Sequence, residues 1–202
     1  MDNYEISRDR AQQYFLNFDQ QQLIGQWQLA HDDTWLYVCF VNRPYRIHRT
    51  TGAVQRCRDH SPAGFEETLS IFDFLCHESQ EKILSGNWAP VNSLKGLKGS
   101  AGVGTDFYEK ISRRFDADPE GFRAACLRLG GTPVDMGDIG FRFPVFGEFG
   151  AVLKFYHSDE DFPAATTLLW DENALQFLFY ETVFYVAGFL LKSIVLLMDS
   201  HE

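Results

Sequence analysis

Acidic side chains and one histidine lie close together in the last third of the chain, in an order that could hold a cation. His157, Asp159 and Asp161 alternate along a short segment, and Asp138 precedes a β-type pattern. Carboxylate oxygens are the donors that Mg²⁺ and Ca²⁺ prefer, and a carboxyl group with a raised pKa can act as a general acid or base. The set predicts a metal site at His157, Asp159 and Asp161, which together with Asp138 would serve a metal-assisted enzyme.

The same residue types are typical of turns, so a structural interpretation stays open beside the metal site. Residues 158–161 would form a solvated hairpin turn, Asp171 would cap a short helical turn, and Asp138 would tie down a glycine turn. The chain has neither a recognised calcium-loop spacing nor a G-x-S-x-G nucleophile elbow.

Aromatic residues are concentrated in this same region and predict a binding pocket. Ten of the 19 phenylalanines lie between Phe141 and Phe189. Residues 132–202 also carry 11 acidic and 3 basic side chains, in a chain of net charge −10. Most of these rings must form a core, but some could line a pocket with an acidic rim. The predicted ligand-binding residues are Trp88, Asp138, Phe143, Phe155, Phe162 and Trp170.

Charge and cysteine placement restrict partners and compartment. Nucleic-acid binding is not expected, because a chain of net charge −10 without a long basic run cannot neutralise phosphates. The N-terminus lacks a basic-then-apolar signal pattern, and the four cysteines are scattered without a C-x-x-C, which indicates a cytoplasmic protein.

The C-terminal run 183–198 is apolar but too short for a membrane span, and Lys192 interrupts it. Polar residues from Glu181 to Asp199 follow one stripe of a helix, so we expect a buried closing helix rather than a membrane segment. Its apolar flank could pair with a second copy, which predicts a homodimer, or a homo-oligomeric structural protein as a third class. The glycine-rich segment from Gly96 to Gly104 could be a lid or an anion site.

The remaining patterns predict an α+β fold in a single domain, residues 1–202. Helices are expected over residues 3–18, 65–76 and 119–129, the last capped by Asp118 and ended by Gly130. Residues 34–41 and 45–49 predict an N-terminal hairpin, and residues 139–146, 151–157 and 166–170 predict a three-stranded meander. We therefore expect an antiparallel sheet packed with helices, with a long apolar C-terminal helix.

Three motifs carry a resemblance to a known family. They are Gly86-Asn87-Trp88, the stretch DPEGFRAACLRLGGTPVDMGDIGFRFPVFG and the stretch DEDFPAATTLLWDENA. Together they resemble the bacterial and archaeal domain of unknown function 3786 (DUF3786), over nearly the whole chain. Because no activity is assigned to that family, the resemblance implies a fold and little more.

The leading hypothesis for function is a non-catalytic ligand-binding or accessory protein with an aromatic pocket and an acidic rim. Its motifs are rich in Phe, Pro, Gly and Asp and poor in catalytic groupings. The expected partner is a small molecule, and the metal-assisted enzyme and the homo-oligomer remain the alternatives.

Overall fold

The first half of the chain forms two helices and a small sheet. The computed structural model describes residues 3–79, 82–97 and 105–200. The elements of this part are α1 (Asn3–Asn17), α2 (Gln20–Trp27), β1 (Trp35–Phe40), β2 (Arg43–His48) and β3 (Val54–Arg56). The three strands are antiparallel in the order β1-β2-β3. Val41 and Asn42 form the β1–β2 turn with φ of 46° and 55°, the positive values that a two-residue hairpin loop of this type requires.

Three helices follow this sheet along the chain, together with a short strand that belongs to the second sheet. They are α3 (Phe65–Cys76), β4 (Trp88–Pro90), α4 (Thr105–Ala117) and α5 (Pro119–Arg128). The first turn of α5 is fixed by Asp118, whose carboxylate accepts a hydrogen bond from the Gly121 N–H at 3.0 Å, and Pro119 occupies the first helical position.

The second sheet has five antiparallel strands in the order β4-β8-β7-β6-β5. Its remaining strands are β5 (Thr132–Pro133), β6 (Ile139–Phe146), β7 (Phe149–Tyr156) and β8 (Ala165–Asp171). The central strand β7 is buried on both faces over most of its length, which explains its nearly continuous apolar sequence.

The chain closes with α6 (Tyr180–Asp199), which packs against α3 and α5. Within the described residues it is the one helix long and apolar enough to cross a membrane, and 56% of its most apolar window is buried in the protein. That burial is typical of a core helix in a soluble protein. The predicted polar stripe faces outward, with Glu181, Lys192 and Asp199 exposed.

The two sheets meet at the end of β1. The Val41 N–H donates to the Val145 carbonyl at 3.0 Å, and the Phe40 ring stacks on Phe146 with centroids 5.0 Å apart. A continuous apolar core includes side chains from both sheets and from α3, α5 and α6. This junction positions the cleft described below.

The predicted α+β class, the hairpin, the meander and the long C-terminal helix are confirmed. The hairpin is extended by β3 into one sheet, and the meander is extended by β4 and β5 into a second sheet that contacts the first. Most of the glycine-rich segment, residues 98–104, lies outside the described residues.

Candidate functional site

The predicted acidic and histidine residues form a turn in which the polar groups bond to one another. We call residues 157–162 the histidine turn. The His157 Nδ1 lies 2.8 Å from an Asp116 carboxylate oxygen at the end of α4. The Ser158 hydroxyl donates to the other oxygen of Asp116 at 2.6 Å, and the His157 N–H donates to Asp138 at 2.8 Å. The bonds from Ser158 and His157 lower the pKa of Asp116 below its ordinary value.

The structure does not assemble the predicted metal site at His157, Asp159 and Asp161. The Asp159 carboxylate accepts the backbone N–H groups of Asp161 and Phe162 at 2.9 and 2.7 Å, which is the geometry of an aspartate-stabilised turn. Residues 3–79, 82–97 and 105–200 contain no group of three or more His, Cys, Asp or Glu side chains placed to hold a metal ion. The hydrogen bonds of Asp159 are those that the structural interpretation of this turn predicts.

The six predicted ligand-binding residues are dispersed. Phe143, Phe155 and Trp170 are fully buried, because β6, β7 and β8 direct them into the core. Phe155, for example, packs edge-on against Phe122 of α5, with centroids 5.5 Å apart. The other three lie at the surface or half-buried in different places: Trp88 in β4 beneath the Arg142 guanidinium, Asp138 before β6, and Phe162 in the histidine turn. The predicted pocket residues do not converge on one pocket.

An open cleft with an aromatic floor lies instead where the two sheets meet. It has a volume of about 910 Å³ between the end of α2, the edge of β1, residues 82–84 and the β6–β7 turn. We call it the aromatic cleft. Its floor consists of five rings: Trp27, Phe74, Phe146, Phe149 and Phe177.

The rings of the floor stack on one another. Phe74 lies parallel to Phe146, with centroids 4.0 Å apart and planes inclined by 12°. Trp27 packs on the other side of Phe74 at 4.3 Å, and Phe149 stacks on Phe177 at 5.1 Å. The four phenylalanine rings are 2–4% exposed, so they form a rigid, preformed apolar base of the cleft, which a ligand would contact over a small area.

Trp27 is positioned by the way α2 begins and ends. Asp19 caps the helix by accepting the N–H groups of Gln21 and Gln22, and Gln28 ends it in the left-handed region at φ 49°. Trp27 is consequently the last helical residue, and its indole N–H donates to the Leu75 carbonyl at 3.3 Å. The ring is fixed against the end of α3.

Lys82 brings a positive charge to the cleft. Its Nζ lies 4.8 Å from the centre of the Trp27 ring, which is a cation–π arrangement. Burial lowers the pKa of Lys82, because partial removal from water disfavours the charged form. Within the described parts of the chain, Lys82 has no carboxylate at ion-pair distance.

The segment that carries Lys82 is held by hydrogen bonds to the chain after β8. The Ile83 N–H donates to the Gln176 side chain at 3.1 Å, and the Asn173 amide donates to the Ile83 carbonyl at 3.0 Å. Asp171 accepts from the Ser85 N–H and hydroxyl, at 3.1 and 3.0 Å, and from the Gly86 N–H at 2.8 Å.

Asp171 remains ionised although it is buried. Burial alone would raise its pKa, but the backbone hydrogen bonds from Asn173, Ser85 and Gly86 outweigh that effect and lower it below the ordinary value. This carboxylate acts as an internal anchor for the backbone beside Lys82.

The other ionisable groups of the described cleft are a thiol, a tyrosine hydroxyl and a glutamate. Cys39 is exposed at the β1 edge, and burial of its thiol raises its pKa, so the thiol stays protonated at neutral pH. The Tyr37 hydroxyl donates to Asp32 at 2.9 Å, and Glu148 is exposed in the β6–β7 turn. The rim therefore has one lysine and one glutamate, and the predicted acidic rim is not a property of this cleft.

A smaller apolar groove of about 390 Å³ lies between α1, α3 and the start of α6. Its buried carboxylate, Asp73, accepts the Phe179 N–H at 2.8 Å and lies 3.3 Å from His77 Nδ1. Burial raises the pKa of Cys76, which also lines the groove, to about 12. Because Asp73 is already bonded within the protein, the groove has less to offer a polar ligand than the aromatic cleft.

Comparison with known families agrees with the motifs found in the sequence. Residues 19–193 match the profile of the family described as a domain of unknown function, DUF3786. The chain belongs to the DUF3786 family. No curated protein and no solved structure matches it. All the residues that line the aromatic cleft of this DUF3786 protein lie within the matched range.

Sequence reasoning missed the two residues that characterise the cleft of this DUF3786 protein. Trp27 lies in a glutamine-rich segment, where a single large aromatic residue is a weak signal for an exposed apolar contact. Lys82 has no signal in the sequence, because its position over Trp27 depends on contacts with residues about 90 positions away.

Proposed function

We propose that this chain works as a single-domain, cytoplasmic, non-catalytic protein that binds a small molecule in the aromatic cleft. The observation that carries the proposal is a cleft that is open to solvent, with buried stacked rings at its base and one half-buried lysine at its side. A cleft of about 910 Å³ lies within the range of about 300–1,000 Å³ that is usual for small-molecule sites. A few polar groups placed around an apolar surface are what such sites use for orientation.

The absence of an activated nucleophile in the described cleft supports binding rather than catalysis. Its one thiol, Cys39, has a raised pKa, and its tyrosine hydroxyl is already bonded to Asp32. The four free cysteines support the cytoplasmic location, since a reducing compartment preserves thiols. The net charge of −10 argues against nucleic acid and anionic lipid as partners.

The test is thermal stabilisation by a panel of metabolites and cofactors, measured on three proteins. Cys39→Trp places a large ring in the cleft from an exposed strand position, and Thr132→Trp makes the same kind of change at the exposed edge strand β5. We expect at least one compound to raise the melting temperature of the wild type and of Thr132→Trp but not of Cys39→Trp. Stabilisation of none of the proteins, or of all three alike, would contradict the proposal.

A homodimer through α6 is a second proposal. The helix exposes apolar side chains, with Leu196 at 67% and Phe179, just before its first residue, at 61%. Leu196→Glu should weaken the dimer in sedimentation velocity, and a wild type that stays monomeric at every concentration would exclude it.

A further inference from the structure

Lys82 is a cation in the aromatic cleft with no carboxylate at ion-pair distance among the described residues, although Asp73 attracts it from further away. Its charged group is partly withdrawn from water and lies against the face of Trp27. An ammonium group in that environment gains from a charged hydrogen-bond acceptor, and its three N–H donors make it a good partner for one. The backbone of its neighbour Ile83 is already fixed by Gln176 and Asn173, so a ligand would meet a preorganised charge.

The remaining charge of the cleft limits the ligand to one anionic group. Glu148 is the single acidic residue in the described lining, and it lies in the exposed β6–β7 turn. A second negative group on the ligand would meet repulsion from Glu148, whereas an uncharged body would lie on the aromatic floor. Phe146 and Phe149 line the cleft with hydrocarbon atoms only, over the small area that they expose, and so favour a hydrocarbon or aromatic body.

We propose that the ligand of the aromatic cleft is an organic monoanion, with an apolar body on the aromatic floor and one carboxylate or sulfonate group at Lys82. This inference rests on the proposed function, because it names the class of molecule that the same cleft would bind. The volume of the cleft, about 910 Å³, suits a small molecule of one to three rings.

Two fluorescent probes that share one skeleton test the inference. The anion 8-anilinonaphthalene-1-sulfonate carries a sulfonate, and N-phenyl-1-naphthylamine is the same aromatic body without it. We expect the sulfonate to bind the wild type about tenfold more tightly than the uncharged probe, the size of effect that one charged hydrogen bond supplies. Cys39→Trp should weaken both probes, which assigns their binding to the cleft.

The lysine variants separate charge from shape. Lys82→Gln should remove the preference for the sulfonate and leave the affinity of the uncharged probe within about twofold. Lys82→Arg should keep the preference, and Lys110→Gln, which removes an exposed lysine of α4 outside the cleft, should keep it as well. Melting curves of each variant verify that it is folded.

The outcomes distinguish this inference from the proposed function. Equal affinity of the two probes for the wild type, or an unchanged preference in Lys82→Gln, would overturn the monoanion while leaving the cleft as a binding site. Binding that Cys39→Trp does not weaken, or no binding of either probe, would overturn the proposed function and the monoanion with it.

Discussion

The histidine turn and the aromatic cleft both contain charged and aromatic residues, but their charged groups have different surroundings. In the turn, Asp116 bonds both His157 and Ser158, and Asp159 bonds the backbone. In the cleft, Lys82 lies over an aromatic ring, and none of the described carboxylates forms an ion pair with it, although Asp73 attracts it from further away. The comparison teaches that carboxylates and a histidine close in sequence can satisfy one another, whereas our proposal assigns binding to a charge that lies beside an open apolar cleft.

The largest expected difference between the two regions concerns their aromatic residues. Phe74 in the cleft floor is 4% exposed and stacked on two neighbours, whereas Phe162 in the turn is 69% exposed. We expect Phe74→Ala to lower the free energy of unfolding by about 3–5 kcal/mol and Phe162→Ala to change it by less than about 0.5 kcal/mol. Urea denaturation measures both, and similar losses would contradict the assignment of the floor to the core.

The next difference concerns the carboxylates that order the backbone. Asp171 is buried and accepts four hydrogen bonds, so Asp171→Ala should lower the free energy of unfolding by about 2–3 kcal/mol. It should also speed amide hydrogen exchange at Ile83, Ser85 and Gly86. Asp159→Ala removes two hydrogen bonds in an exposed turn and should lower the free energy of unfolding by about 1 kcal/mol. If exchange at the three amides is unchanged in Asp171→Ala, another group holds the segment of Lys82.

A smaller effect, with a characteristic pH dependence, is expected at Asp116. The folded protein lowers the pKa of Asp116 below its ordinary value of 3.8. The ionised carboxylate therefore stabilises the fold at pH values above that ordinary pKa, and this stabilisation is lost as the pH falls through the folded-state pKa. Asp116→Asn should lower the free energy of unfolding by about 1 kcal/mol at pH 6. The difference in this free energy from the wild type should shrink below about pH 4. Urea denaturation at pH 6 and pH 3 tests this, and a difference that is equal at both values would contradict it.

The smallest effect on stability is expected at Lys82. Its folded-state pKa lies below the ordinary 10.5, so the unfolded chain binds this proton more readily, and the charged lysine opposes folding at neutral pH. Lys82→Met should leave the free energy of unfolding unchanged or raise it by less than about 1 kcal/mol, because the group is only partly buried. A loss of more than about 1 kcal/mol would show that Lys82 serves the fold rather than a ligand.

The sequence predicted the fold well because local patterns determine most of its elements. The Asp118-Pro119 start and Gly130 stop define α5, and the short apolar segments separated by turns over residues 139–170 define the meander. The short strands β3, β4 and β5 were missed, since two or three residues form no periodic pattern.

The candidate site was far less predictable, for physical reasons. Phe143, Phe155 and Trp170 have the composition of a pocket, but whether a ring faces a ligand or a helix depends on what packs across the sheet. Lys82 and Trp27 are 55 positions apart and meet because Asn173 and Gln176 hold the intervening segment. No spacing rule connects such residues.

Chemical-shift mapping with 8-anilinonaphthalene-1-sulfonate tests the central claim most directly, because it reports on both regions in one titration. We expect the Trp27 indole N–H and the backbone amides of Cys39 and Gly147 to shift in proportion to bound probe, while the amides of residues 157–162 stay in place. Shifts concentrated in the histidine turn, or no shift at the Trp27 indole at saturation, would contradict the assignment of the aromatic cleft as the binding site.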